Sequence, residues 1–234
     1  SAGAMGGGVS SAISRALGAG DEARARSLAF HTVVIAVVLG LAISLVLFTF
    51  GRPIYAALGG QGEALEQALI YSNVVFLGAL AIWLCNLLAS IVRGAGNMRV
   101  PSTTLLTVAV LQVAIGGSLG LGLGPLPRLG MFGIALGQVI AYGVGAVILF
   151  RFLRSGACRV VLPIAGVRLN GEHFADILKV GALACVSSFQ SVLAVLILTR
   201  LVARFGHEAL AGYGIGTRLE FMLIPFTFAV GVSM

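Results

Sequence analysis

A chain of 234 residues that is 59% hydrophobic and 10% charged cannot cover itself with the charge a water-exposed globule needs, which excludes a soluble enzyme. Fifteen Lys and Arg against eight Asp and Glu leave a formal charge of +7, spread too thinly to form a nucleic-acid groove, and the apolar content excludes disorder. What remains is an all-α integral membrane protein, a polytopic helix bundle of mean hydropathy +1.06 with basic loops.

In chain order, residues 1–14 are apolar and rich in small side chains, and read as a helix already under way. With neither Met nor a basic n-region at Ser1, the sequence reads as a piece of a longer protein. Five runs can cross a hydrocarbon core of ~30 Å as helices: residues 28–50, 69–92, 103–123, 131–150 and 180–202. Residues 215–234 are still apolar when the sequence stops, so five complete transmembrane helices and two truncated ones are expected.

The connections alternate in charge. Arg15, Arg24 and Arg26, then Arg93 and Arg99, then Arg151, Arg154, Arg159, Arg168 and Lys179 mark the cytoplasmic side. The outer loops hold Arg52, Arg128, and Arg200 with Arg204; the last pair snorkels from a helix end. Gly18 and Gly20 suit a C-cap and Asp21 an N-cap, and Pro101 fits the first turn of its helix. Pro125 and Pro127 stiffen an outer turn. Residues 151–176 form the longest loop, expected to lie on the membrane surface with a short helix capped by Asn170. Pro225 should bend the last run.

Small residues recur every fourth position at Gly133, Gly137, Ala141 and Gly145, and at Gly116, Gly120 and Gly124, as close helix packing in lipid requires. Uncharged polar residues recur at membrane depth: Asn73, Asn86, Gln112, Gln138, Tyr142, Ser187, Ser188, Gln190 and Ser191. Each must face protein or water. Either they bond neighbouring helices, or as a group they line a midplane cavity; Asn86, Gln112, Gln138, Tyr142, Ser187 and Gln190 are the candidate cargo-contacting set. Glu220 is the acidic residue within an apolar run and the candidate for ion coupling; Arg218, two positions away, does not face it on a helix.

Enzyme motifs fail on context. Residues 116–120 match G-x-S-x-G, but Ser118 sits in a helical glycine stripe rather than a strand-turn-helix elbow. His31, His173 and His207 lie at a helix end or in loops. With Lys179 the sole lysine there is no Walker A motif, and there is no H-E-x-x-H metal motif. Cys85, Cys158 and Cys185 read as isolated thiols. No cofactor, catalytic residue or metal is expected.

Four segments, in order, resemble the MATE (multidrug and toxic compound extrusion) family. Residues 10–25 (SSAISRALGAGDEARA, with Gly18, Gly20 and Asp21) are similar to the loop after its second helix. Residues 93–101 (RGAGNMRVP, with Arg93, Gly94, Gly96 and Pro101) are similar to its loop between helices four and five. Residues 124–137 (GPLPRLGMFGIALG, with Pro127 and Gly130) resemble its outer turn into helix six, and residues 214–225 (GIGTRLEFMLIP) the start of helix eight.

The resemblance implies twelve helices in two six-helix lobes, the chain running from late helix two to mid helix eight. Residues 1–150 would belong to the first lobe, 151–178 to the cytoplasmic interlobe loop and 179–234 to the second lobe. Gly8-Val9-Ser10 recurs as Gly231-Val232-Ser233 at equivalent points of the two lobes. The resemblance further implies a monomeric antiporter of the cytoplasmic (inner) membrane that exports amphipathic or cationic small molecules against H⁺ or Na⁺. Many members carry an Asn and, four residues on, an Asp in helix five; here Gln112 and Gly116 stand there, so coupling would fall to the absent first helix, Glu220 or the rest of the second lobe. A lipid-linked oligosaccharide flippase of the same superfamily, a non-transporting membrane scaffold and, last, a Ser118 hydrolase are the alternatives.

Overall fold

The computed structural model describes residues 2–57, 62–122, 127–163, 169–206, 209 and 212–219. Its helices are α1 (Ala2–Gly18), α2 (Glu22–Ala57), α3 (Gly62–Leu77), α4 (Ala79–Gly94), α5 (Arg99–Leu121), α6 (Gly130–Arg154) and α7 (Gly171–Val202), followed by a 3-10 turn at Ala203–Phe205. Residues 212–219 are also helical, and there is no strand among the described residues. In lipid every backbone N–H and C=O needs an internal partner, and apolar helices supply one. Among the described residues four helices are long and apolar enough to cross a membrane, five when the bent pair α3–α4 counts as one span. The protein is a polytopic helical membrane bundle. α2, with 36 residues, would extend about 54 Å at 1.5 Å per residue, beyond the hydrocarbon thickness.

α4 is the axis of the bundle. It packs on α1, α2 and α6 and more lightly on α5, and buries Trp83, Cys85, Leu87, Leu88, Ile91 and Val92. α5 and α6 form the closest pair, and their small-residue stripes are the reason. A Cβ on Gly137 would stand 2.4 Å from the Cα of Gly116, and one on Gly133 2.7 Å from the Leu119 carbonyl. Further along α6, Gly145 faces Val108 of α5 and Cys85 of α4. These parts of the stripes therefore serve packing within the chain; Gly124 lies outside the described residues.

Two expectations need correcting. The apolar run 69–92 is not one straight helix: it breaks at Gly78 and bends by 53°. Gly78 lies against Val139 of α6, where any side chain would collide. The Phe76 carbonyl at the break accepts a hydrogen bond from the Ser44 hydroxyl of α2, which satisfies it at membrane depth.

The long loop is also shorter than expected. α6 continues through Arg154 and α7 starts at Gly171, so Asn170 precedes a full span and not a separate short helix; its Oδ1 accepts from the Glu172 N–H at 3.0 Å. Nor does the connection simply lie on the surface, since Cys158, Val160 and Leu162 are buried with the core. His173, expected in a loop, stands in the first turn of α7.

The family-motif turns behave as their chemistry requires. Gly18 ends α1, and Gly20 adopts φ +77°, a conformation open to glycine at little cost. The Gly20 N–H reaches the Leu17 carbonyl and the Asp21 N–H the Ala16 carbonyl, closing α1. Asp21 Oδ1 then accepts from the Arg24 N–H at 2.8 Å and opens α2. After α4, Gly96 is left-handed and Asn97 Oδ1 accepts from the Val100 N–H. Pro101 is buried in the first turn of α5; Pro127 is exposed and Gly130 begins α6.

Candidate functional site

The polar residues singled out along the helices divide into those the fold uses for packing and those it leaves presented. Gln138 belongs to the first group: its Oε1 accepts from the Tyr71 hydroxyl and ties α6 to α3. Asn86, half-buried on α4, turns its amide nitrogen to the Ile82 carbonyl at 2.8 Å, within its own helix. Tyr142 packs partly against the core. Gln112 is half-buried on α5, and Ser187 and Gln190 are exposed on α7. Ser191 bonds back to the Ser187 carbonyl. Glu220 and Pro225 lie outside the described residues, as does the side chain of Ser188.

None of the six candidate cargo residues lines either of two clefts formed by described residues. One, about 330 Å³, lies where the α4–α5 turn meets the α6–α7 connection, between Asn97, Met98, Arg99, Cys158 and Arg159. The other, about 640 Å³, lies between α2, α4 and α6. Among the described residues, no group of three or more His, Cys, Asp or Glu side chains is placed to hold a metal. Cys85, Cys158 and Cys185 form no disulfide.

A more organised arrangement joins α1 and α2 to α7, and little in the local sequence pattern announces it. α1 crosses α7 at glycine: a Cβ on Gly8 would lie 2.6 Å from the Ile177 carbonyl and 2.8 Å from the Gly181 nitrogen. α1 also approaches α4 closely, where a Cβ on Gly94 would meet the Ser10 carbonyl and one on Gly6 the Ser90 hydroxyl. That hydroxyl accepts from the Arg93 guanidinium at 2.7 Å, which turns Arg93 toward the α1–α4 crossing.

Beside these crossings His31, fully buried on α2, has both ring nitrogens engaged. Nδ1 lies 2.7 Å from the Ser27 carbonyl, which can only accept, so Nδ1 carries the proton. Nε2 then accepts from the backbone N–H of Asn170 at 2.9 Å, at the start of α7. His173 and Phe174 pack edge-on against the His31 ring at 5.1 and 4.6 Å, and the Ser27 hydroxyl bonds His173 Nδ1 at 2.8 Å. Arg24 of α2 pairs with Asp176 of α7 nearby. The available signal was a histidine inside an otherwise apolar run, with nothing to show its partner 139 residues on.

The geometry is thus a bundle of helices α1–α6 with a further helix docked across α1 and α2. The family model for MatE matches residues 2–116. The fold agrees over nearly the whole chain with an inward-facing multidrug resistance MATE family transporter of the MOP superfamily, at TM-score 0.87 and 25% identity over 94% of this chain and 50% of that one. The chain resembles the MatE family in sequence and in fold. Among curated relatives, the multidrug export protein MepA of Staphylococcus aureus is 29% identical over 91% of this chain and 46% of its own length. The FAD transporter of Shewanella oneidensis is 25% identical over 98% of this chain and 51% of its own. The chain therefore spans about half the length of the curated relatives it matches.

Proposed function

We propose that this chain forms part of a secondary active antiporter that exports amphipathic, cationic small molecules in exchange for H⁺ or Na⁺. It would act in the cytoplasmic membrane as a monomer, without a cofactor and without chemically altering its cargo. The observation that carries this reading is the likeness of the whole helical arrangement to a multidrug transporter, joined to helix interiors free of Lys and Arg. A cargo bearing pyrophosphate, such as FAD or a lipid-linked sugar, calls for Arg or Lys at the site, and residues 100–121, 131–150 and 180–199 contain none. Amides and hydroxyls instead suit cargo recognised by shape and weak polar contacts.

In this reading residues 1–150 act as one rocking body and residues 179–234 begin the second, with 151–178 linking them. Ser187 and Gln190 are the exposed members of the cargo set, and Asn86, Gln112, Gln138 and Tyr142 its half-buried members. Cation binding on one face favours release of cargo on the other, because each ligand prefers a different state of the two lobes. Glu220 carries the coupling ion in this chain, and Pro225 supplies a bend point.

The test is transport by the full-length protein in liposomes. An imposed pH or Na⁺ gradient is expected to drive a lipophilic cationic dye across the bilayer. Glu220→Gln is expected to lower proton-driven flux severalfold at unchanged expression. Dye flux indifferent to both gradients would overturn the antiport reading, and preferential movement of a lipid-linked oligosaccharide would overturn the cargo class.

A further inference from the structure

The 640 Å³ cleft between α2, α4 and α6 is unlike a cargo cavity in its lining, and its walls explain why it exists. α2 and α6 both pack on α4 but do not touch each other, so a groove runs between them with Leu84 and Leu88 of α4 as its floor. Val33 and Val37 form one wall; Ala146, Val147 and Phe150 form the other. At one end the lining changes character abruptly, to Arg151, Arg154 and Ser155.

The two arginines are exposed, and none of the three ion pairs among the described residues involves either of them. Arg154 instead leans over the Phe150 ring at 6.0 Å, at the junction of the apolar and basic parts. Among the described residues no acidic side chain lines the groove, so a cationic occupant is disfavoured there.

The dimensions fit one leaflet. From Ala146 to Ser155 the groove follows α6 for about 13 Å, against ~15 Å for half of a bilayer core. Its volume lies within the range of about 300–1,000 Å³ typical of small-molecule sites. The distribution of basic loops places Arg151 and Arg154 at the cytoplasmic face, where anionic lipids gather.

We infer that this groove is a binding site for one anionic phospholipid of the cytoplasmic leaflet, its phosphate held by Arg151 and Arg154 and an acyl chain lying on Leu84, Leu88 and Val147. Guanidinium forks match phosphate oxygens bidentately, and an apolar trough with a cationic mouth is complementary to a molecule with an acyl tail and an anionic head. A lipid seated there fills the gap between α2 and α6 and bridges them through α4. The site is independent of the cargo and of the coupling ion.

The experiment is native mass spectrometry of the intact protein equilibrated in detergent with equimolar phosphatidylglycerol and phosphatidylcholine. One phosphatidylglycerol is expected to be retained in preference to phosphatidylcholine by about thirtyfold, as two arginines at a membrane surface would give. The double variant R151Q/R154Q is expected to bring phosphatidylglycerol down to the phosphatidylcholine level, while R52Q/R128Q, at the other face, keeps the preference. Val147→Trp fills the groove at a half-exposed position and is expected to displace the lipid with both arginines intact. Equal retention of the two lipids by the unmodified protein overturns the inference, whatever the folding of the variants. Loss in R52Q/R128Q equal to that in R151Q/R154Q, or full retention in Val147→Trp, overturns it too.

Discussion

Gly116 and Gly137 show how one missing methyl sets a helix distance. Close approach in lipid gains van der Waals contact where no hydrophobic force drives helices together. A side chain at Gly137 has only backbone to displace, because its nearest neighbours are the Cα and nitrogen of Gly116 at 2.4 Å. At Gly116 the added Cβ meets the Ile134 carbonyl at 3.3 Å, and at Gly143 nothing lies within 4 Å. Overpacking of this kind costs about 1–3 kcal/mol, so Gly137→Ala should lower the thermal unfolding temperature of the intact protein in detergent most, and Gly116→Ala less. Gly143→Ala should leave it unchanged or raise it slightly, since alanine favours a helix by about 1 kcal/mol over glycine. Equal effects at all three positions would mean that the α5–α6 distance is not set by these contacts. The four-residue spacing was legible in the sequence; which glycine carries the closest contact was not, because that depends on where the helices cross.

At the scale of elements, the α3–α4 break is the informative case. A hydropathy profile sees residues 69–92 as one continuous run, since breaking a helix does not change its composition. Bending it does change the hydrogen-bond account: the Phe76 carbonyl at the break takes the Ser44 hydroxyl of α2, which it shares with the Gly40 carbonyl one turn back in α2. Ser44→Ala should therefore cost about 1–2 kcal/mol in unfolding of the intact protein, the range for an interhelical hydrogen bond in a membrane. Thr49→Ala should cost less, because Thr49 bonds only the Leu45 carbonyl of its own turn. Matching losses in thermal unfolding would remove Ser44 from its role at the break. The turn at Gly20 and Asp21 is the opposite case, since both caps were readable from neighbouring residues alone.

For the molecule as a whole, the junction at His31 decides how α7 is held to the first six helices. Its two hydrogen bonds join a carbonyl of α2 to the backbone nitrogen of Asn170, and the Arg24–Asp176 pair lies beside them. Removing the buried ring leaves the Asn170 N–H without its acceptor and opens a cavity, so His31→Ala should cost about 2–4 kcal/mol. Amide hydrogen exchange at Asn170 should rise with it, and an unchanged rate there would reduce His31 to a packing residue. Asp176→Asn removes an ion pair that is partly solvent-exposed, and its effect on unfolding should stay within about 1 kcal/mol.

The sequence by itself determined the class of molecule, the approximate spans, the turn-flanking helix caps and the family resemblance, because hydropathy, turn chemistry and loop charge act over a few neighbouring residues. The tertiary structure alone decided that Gly8 meets Gly181, that His31 holds the start of α7, that the run 69–92 bends at Gly78 and that a basic-mouthed groove opens between α2 and α6. Each of these is a meeting of residues far apart in the chain, fixed by the crossing points of helices. A local pattern of apolar and polar residues carries no information about where two helices cross.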